Sequence, residues 1–340
     1  MPTRTPPDAH AVYRVVGVDS SPYTAKVRAV MRYRHITHRW ICRFAQRWDE
    51  TRLVRPAIMP MVQFPDGEYR TDSTPIILEL EALHAGQRSV IPSDPGFAFL
   101  SDLLEDMADE WLAKCLFWHR FSTPEAGEFA ARWVADDARF DRSAGALDVD
   151  RAQFQARQVA RMEVVGVTPY NAPVIEASYL LVLAAMESFV ANERFLFGTR
   201  PSLGDFGLYS QLRTIGTDPV GLALMRAQAP RTEGWLRRLD DASGIDGEWS
   251  NEPSKAIDSL LHVVGSIYLP FLAANQAAKR ANREEFEVVL ADHPFRARPF
   301  GYQVKCLEAL RNGFQRLPEP SRRHIAPLLE AHNCLAILSA

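Results

Sequence analysis

Along the first part of the chain, short β-branched runs alternate with stretches of helical period. Val12-Tyr13-Arg14-Val15-Val16-Gly17-Val18 predicts a strand, and Asp19-Ser20-Ser21 breaks it. From Pro22 the period changes. Val27, Val30 and Met31 fall on one face of the segment Tyr23 to Arg34, with proline at the first helical position and Ser21 before it as cap. Thr37 to Ile41 predicts a second strand, and polar Arg43 to Arg55 a short helix with loops. Ile58 to Phe64 is apolar but interrupted by Pro60. Pro65-Asp66-Gly67-Glu68 is a turn, so the runs on either side predict a hairpin. Asp72-Ser73-Thr74-Pro75 then opens an apolar helix, Ile76 to Leu83. The predicted order is strand, helix, strand, helix, strand, strand, helix.

Pro92, Pro95 and Gly96 mark a linker, and the pattern beyond it changes character. To about residue 250 the periods are helical: Leu100 to Phe121, Phe129 to Arg139, Ile175 to Asn192, Asp205 to Leu212 and Gly221 to Arg226. Asn251-Glu252-Pro253 is a further break. The last segment is also mostly helical, with a short strand possible over Glu285 to Leu290. The expected units are a loose proline-rich tail over 1–11, a mixed α/β domain over 12–90, an all-helical domain over 96–250 and a helical extension over 253–340.

Composition narrows the function classes. With 340 residues, 47% hydrophobic and 24% charged, the chain can bury a sizeable core without disulfide or metal staples. A net charge of −3 offers no overall pull toward nucleic acid or an anionic membrane, so neither is an expected partner. No uninterrupted apolar run approaches the ~18 residues of a membrane span; the longest is Tyr179 to Met186. Cys42, Cys115, Cys306 and Cys334 form no CxxC, the nine histidines form no ligand motif, and no metal is expected. Unpaired cysteines fit a reducing cytoplasm.

Four stretches bear a likeness to one family. Ser20-Ser21-Pro22-Tyr23-Thr24-Ala25-Lys26-Val27-Arg28 resembles the strand-to-helix turn of serine-type glutathione transferases. Met59-Pro60-Met61-Val62 is similar to the family's cis-proline segment. Asp66-Gly67 and Asp72-Ser73, with Ile76 and Leu80, resemble the hairpin and acidic-serine turn that follow. Phe195 to Phe206, with Ser202 and Asp205, resembles the capped core helix of the second domain. Order and spacing of the four make the signal specific, from about residue 12 to about residue 240. The resemblance implies a thioredoxin-like first domain with a mixed four-stranded sheet, an all-helical second domain and a homodimer. It also implies glutathione as co-substrate.

The chemistry expected of such a protein is to hold a thiol as thiolate, the nucleophilic form. Lowering a thiol pKa from about 8.5 by about two units takes roughly 2.7 kcal/mol of preferential anion stabilisation. A hydroxyl hydrogen bond and the positive end of a helix together supply that order. Ser21 is the candidate for this role; the plainer reading makes it only a helix cap, and Ser20 or Thr24 could take its place. A cis bond before Pro60 would leave the Met59 main chain free to pair with the tripeptide as an added strand. Asp72 and Ser73 would receive the γ-glutamyl group, or simply cap a helix.

Ser202 and Asp205 read as a structural capping box. Tyr23, Trp111, Trp118 and Arg120 are candidates for an acceptor pocket for a small apolar electrophile. The aromatic stripe could equally be core, and Arg120, Asp106, Asp109 or Glu110 could meet a partner subunit. One departure from the family is Pro56-Ala57-Ile58, where many serine-type members carry a lysine for the glycyl carboxylate. Arg55, Arg52 or Arg47 could substitute. A glutathione transferase, of use in detoxification, is the leading expectation. A glutathione-dependent isomerase or peroxidase, or a non-catalytic relative, is the alternative. Apolar clusters at Tyr268 to Leu272 and Phe300 to Tyr302 predict that the extension packs over the second domain or the site's mouth; an independent partner-binding module is the alternative.

Overall fold

The computed structural model describes residues 12–42, 49–86, 88–138 and 143–340. The expected tail over 1–11 and the candidate Arg47 lie outside the described residues. The first unit runs β1 (Tyr13–Gly17), α1 (Pro22–Tyr33), β2 (His38–Cys42), a 3₁₀ turn (Asp49–Leu53), β3 (Met61–Gln63), β4 (Tyr69–Thr71) and α2 (Ser73–Leu83). The sheet order is β2-β1-β3-β4. β1 pairs parallel with β2 and antiparallel with β3, which pairs antiparallel with β4. This is the thioredoxin-like mixed sheet, with the α/β unit followed by helices.

Val15 and Val62 are fully buried on one face of the sheet, beside Val27 and Val30 of α1 and Ile76 and Leu80 of α2. Gly17 is required where β1 meets α1: a β-carbon there would lie 2.5 Å from the Thr24 hydroxyl oxygen.

The helices that follow are α3 (Pro95–Met107), a π turn (Ala108–Leu112), α4 (Ala113–Phe121), α5 (Pro124–Ala138), α6 (Ala144–Val164), α7 (Ala172–Val190), α8 (Leu203–Ile215), α9 (Pro219–Gln228) and α10 (Pro230–Asp240). The single helical stretch expected from Leu100 to Phe121 is thus divided by a π turn. The capping box is present on α8: the Ser202 hydroxyl accepts from the Asp205 amide at 3.3 Å, and the Asp205 carboxylate accepts from the Ser202 amide at 2.8 Å.

Beyond residue 253 come α11 (Ala256–Val263), a second π turn (Val264–Tyr268), α12 (Leu269–Arg280), β5 (Phe286–Leu290), β6 (His293–Ala297), α13 (Gly301–Gln315), α14 (Glu319–Ala331) and α15 (Cys334–Leu338). The short strand near Glu285 has an antiparallel partner, pairing Phe286 with Ala297 and Leu290 with His293. The rings of Phe271 and Phe295 each lie 5.4 Å from Trp111 and 5.5 Å from one another. Burying each phenylalanine contributes roughly 1.5–3 kcal/mol, so the extension shares the core of the helical domain.

Two helical stretches, Ala172–Val190 and Ala256–Arg280, are long and apolar enough to cross a membrane by length and composition; 50% and 67% of their windows are buried inside the fold. Isolated polar residues such as Ser178 and Glu187 break the uninterrupted run in the first without lowering its mean hydropathy below 1.5.

Candidate functional site

Strand register brings the N-terminal candidates to one end of the sheet. Met61 at the start of β3 stands opposite Val16 near the end of β1 and opposite Thr71 at the end of β4. Residues leaving β1 toward Ser21, arriving at β3 through Met59 and Pro60, and leaving β4 toward Asp72 and Ser73 therefore share that end.

Ser21 is the N-cap of α1, with φ −93° and ψ 119°. Its hydroxyl oxygen accepts from the Thr24 amide at 3.3 Å, which leaves the hydroxyl proton free to donate outward. Pro22 has no amide hydrogen, and the orphan donors of the first turn point past Ser21. The turn is clamped from the helical domain. Arg213 is paired with Asp19 at 2.9 Å and donates to the Asp19 carbonyl at 3.1 Å; Arg120 donates to the Ser20 carbonyl at 3.3 Å.

The peptide bonds before Pro60 and before Pro56 are both cis. Asp72 takes a positive φ of 74° and makes no cap bond to its own helix, while Ser73 behind it is buried.

Residues 15–88 match the family model described as the glutathione S-transferase N-terminal domain. Over these residues the chain carries a glutathione S-transferase N-terminal domain. No curated protein matches it. Among solved structures, the chain is similar to the β-etherase LigF from Sphingobium sp. strain SYK-6, with 16% identity, 73% of this chain and 98% of that one covered, and a TM-score of 0.48. It is similar to a Methylobacterium radiotolerans glutathione S-transferase in complex with glutathione sulfonate, with 19% identity, 71% and 98% covered, and a TM-score of 0.44. A Tau class glutathione S-transferase from mango gives 16% identity, 67% and 87% covered, and a TM-score of 0.43.

Within this glutathione-transferase-like chain, the four acceptor-pocket candidates have different partners. Trp111 is fully buried, its indole donating to the Ser178 hydroxyl at 2.9 Å, and it belongs to the aromatic core with Phe271 and Phe295. Arg120 is buried in an ion pair with Asp218 at 2.7 Å and donates to the Ser20 carbonyl at 3.3 Å. Trp118 turns its indole to Glu176 at 2.8 Å. Tyr23 lies in the first turn of α1, its hydroxyl donating to the Asp109 carbonyl at 3.0 Å. Burial, followed by the nearby Asp109 and Glu110 charges, holds that phenol well above its usual range.

Two features were not read from the sequence. Lys26 of α1 is fully buried and ion-paired with Glu105 and Asp109, and it donates to Thr74 of α2 at 3.3 Å. Burial works against its charge, but the two carboxylates outweigh that and raise its pKa. Glu105 and Asp109, one turn apart and both buried, were the available signal, though their cation lies far away in sequence. The second feature is Tyr302 of α13, whose hydroxyl reaches the Asp72 carboxylate at 3.4 Å. As for the glycyl-carboxylate candidates, Arg52 is exposed, and exposed Arg55 donates to the carbonyls of Arg52 and Val54, both at 2.8 Å.

Proposed function

We propose that the chain is a glutathione-dependent transferase in which Ser21 activates the thiol. The convergence of Ser21, Met59-Pro60 and Asp72-Ser73 at one sheet end carries the reading. In it the Met59 main chain pairs with the cysteinyl unit, and the Ser73 hydroxyl and amide at the start of α2 receive the γ-glutamyl carboxylate. Asp72 receives the γ-glutamyl amine. The Ser21 hydroxyl donates to the sulfur, whose negative charge the first turn of α1 favours. The thiolate then forms a carbon–sulfur bond to a small apolar electrophile while the leaving group departs with the bonding electron pair. The same reading takes the protein as a cytoplasmic homodimer, in keeping with the buried thiols of Cys115, Cys306 and Cys334.

The test is to titrate glutathione by calorimetry and to assay wild type and Ser21→Ala with a chlorinated aromatic acceptor. Wild type should bind and turn over. Ser21→Ala should keep most of its affinity, raise the bound thiol pKa by up to about two units and lose turnover accordingly. Turnover untouched by Ser21→Ala removes the assignment.

A non-catalytic binding protein is the second reading. It is favoured by the arginines of the Arg52 to Arg55 turn: Arg55 is already bonded to its own neighbours where a glycyl-carboxylate cation would be needed. Binding without turnover in the same assay selects it.

A further inference from the structure

Tyr302 of the C-terminal extension reaches the proposed glutathione site, its hydroxyl 3.4 Å from the Asp72 carboxylate. α13 begins one residue before Tyr302, and its start is pinned. The Phe300 amide donates to the Asn275 side-chain oxygen at 2.8 Å, and the Asn275 amide group donates back to the Phe300 carbonyl at 3.0 Å. Asn275 is fully buried in α12, so the start of α13 is fixed against a packed helix. One helical turn on from Tyr302, Cys306 is buried, and burial followed by the nearby Asp106 charge of α3 pushes its thiol pKa up; Asp106 accepts from Tyr268 at 2.6 Å. The face of α13 carrying Tyr302 and Cys306 is thereby held toward α3 and the start of α2.

We infer that Tyr302 is a positioning residue for glutathione, holding the Asp72 carboxylate in the orientation that receives the γ-glutamyl ammonium. The inference rests on the proposed glutathione site. Asp72 makes no bond to the amides of its own helix, so its orientation has to come from elsewhere. The Tyr302 hydroxyl meets one carboxylate oxygen, and a carboxylate has further lone pairs for an incoming cation. Tyr302 keeps 44% of its surface exposed, so a bound tripeptide can reach the pair from solvent. The extension thus completes a site that the first domain alone would leave loosely ordered.

The experiment is calorimetric titration of the full-length protein with glutathione and with its analogue lacking the γ-glutamyl amino group. Wild type is measured first; if it binds no glutathione, the proposed function fails and this inference with it. Given binding, Tyr302→Phe should weaken glutathione about three- to tenfold, the size of one lost net hydrogen bond. Its affinity for the des-amino analogue should match that of wild type, and its thermal midpoint should be unchanged. In an Asp72→Asn background, Tyr302→Phe should add nothing. Unaltered glutathione affinity in Tyr302→Phe, or an equal loss for both ligands, overturns the inference.

Discussion

Lys26 of α1 and Glu105 of α3, 79 residues apart, form an ion pair in which the lysine side chain is fully buried and the glutamate only 5% exposed. Asp109 completes the group from the π turn, and Thr74 ties it to α2. The joint between the two domains is therefore built on charge as well as on apolar contact. Removing one partner of a buried pair leaves the other uncompensated, which costs about 3–5 kcal/mol. Lys26→Met should lower unfolding stability by that order in urea titrations. Adding Glu105→Gln and Asp109→Asn should recover part of the loss, because the stranded carboxylates are then gone.

The capping box on α8 offers a change that separates stability from chemistry. Ser202→Ala removes one half of a reciprocal pair and should cost about 0.5–2 kcal/mol. Glutathione affinity per folded molecule should stay that of wild type, because Ser202 is fully buried and its side chain is bonded within the α8 cap. A loss of affinity in fully folded Ser202→Ala would show that the cap is needed to hold the α8 clamp of Arg213 on Asp19.

Stability should fall with rising pH. Burial, reinforced by the Asp106 and Asp109 charges, lifts Glu110 from 4.5 to about 8. Asp106 is raised from 3.8 to about 7, again first by burial, against the pull of its Tyr268 hydrogen bond. Each folded group holds its proton more tightly than the unfolded one. The contribution to stability is full below the ordinary carboxyl values and is lost as pH rises through about 8. The thermal midpoint should decline across that window, and Glu110→Gln should make the decline shallower. A midpoint that rises over the same window would contradict the burial of these acids.

Gly265 tests how closely the end of the chain packs. A β-carbon at this position in the second π turn would lie 1.7 Å from the His332 carbonyl oxygen, so the α14–α15 connection would have to move. Alanine is ordinarily better than glycine in a helix interior by about 1 kcal/mol. Here Gly265→Ala should have the opposite sign and lower the thermal midpoint. A stabilised variant would mean that residues 332–334 do not rest on this helix.

The legible part of the molecule was the part written locally. The strand at Val12 to Val18, the proline start of α1, the interruption at Pro60, the hairpin turn at Asp66-Gly67 and the box at Ser202 and Asp205 are each set by residues within a few positions of one another. Their positions in the structure agree closely with the pattern of the chain. Trp111 was ambiguous for a physical reason. An aromatic at helical spacing faces something apolar, and only packing decides whether that is a pocket or, as here, Phe271 and Phe295.

From its own residues the sequence determined the order of elements, the apolar face of α1 and the likeness to glutathione transferases, because hydrogen-bonding and side-chain period act over one or two turns. Tertiary structure alone decided that Arg120 closes on Asp218, that Lys26 sits between two carboxylates and that Tyr302 reaches Asp72 across 230 residues. Helical period says which side of a helix is wet. Which charge it meets on another element depends on the angle and height at which the two pack, and no local pattern encodes that.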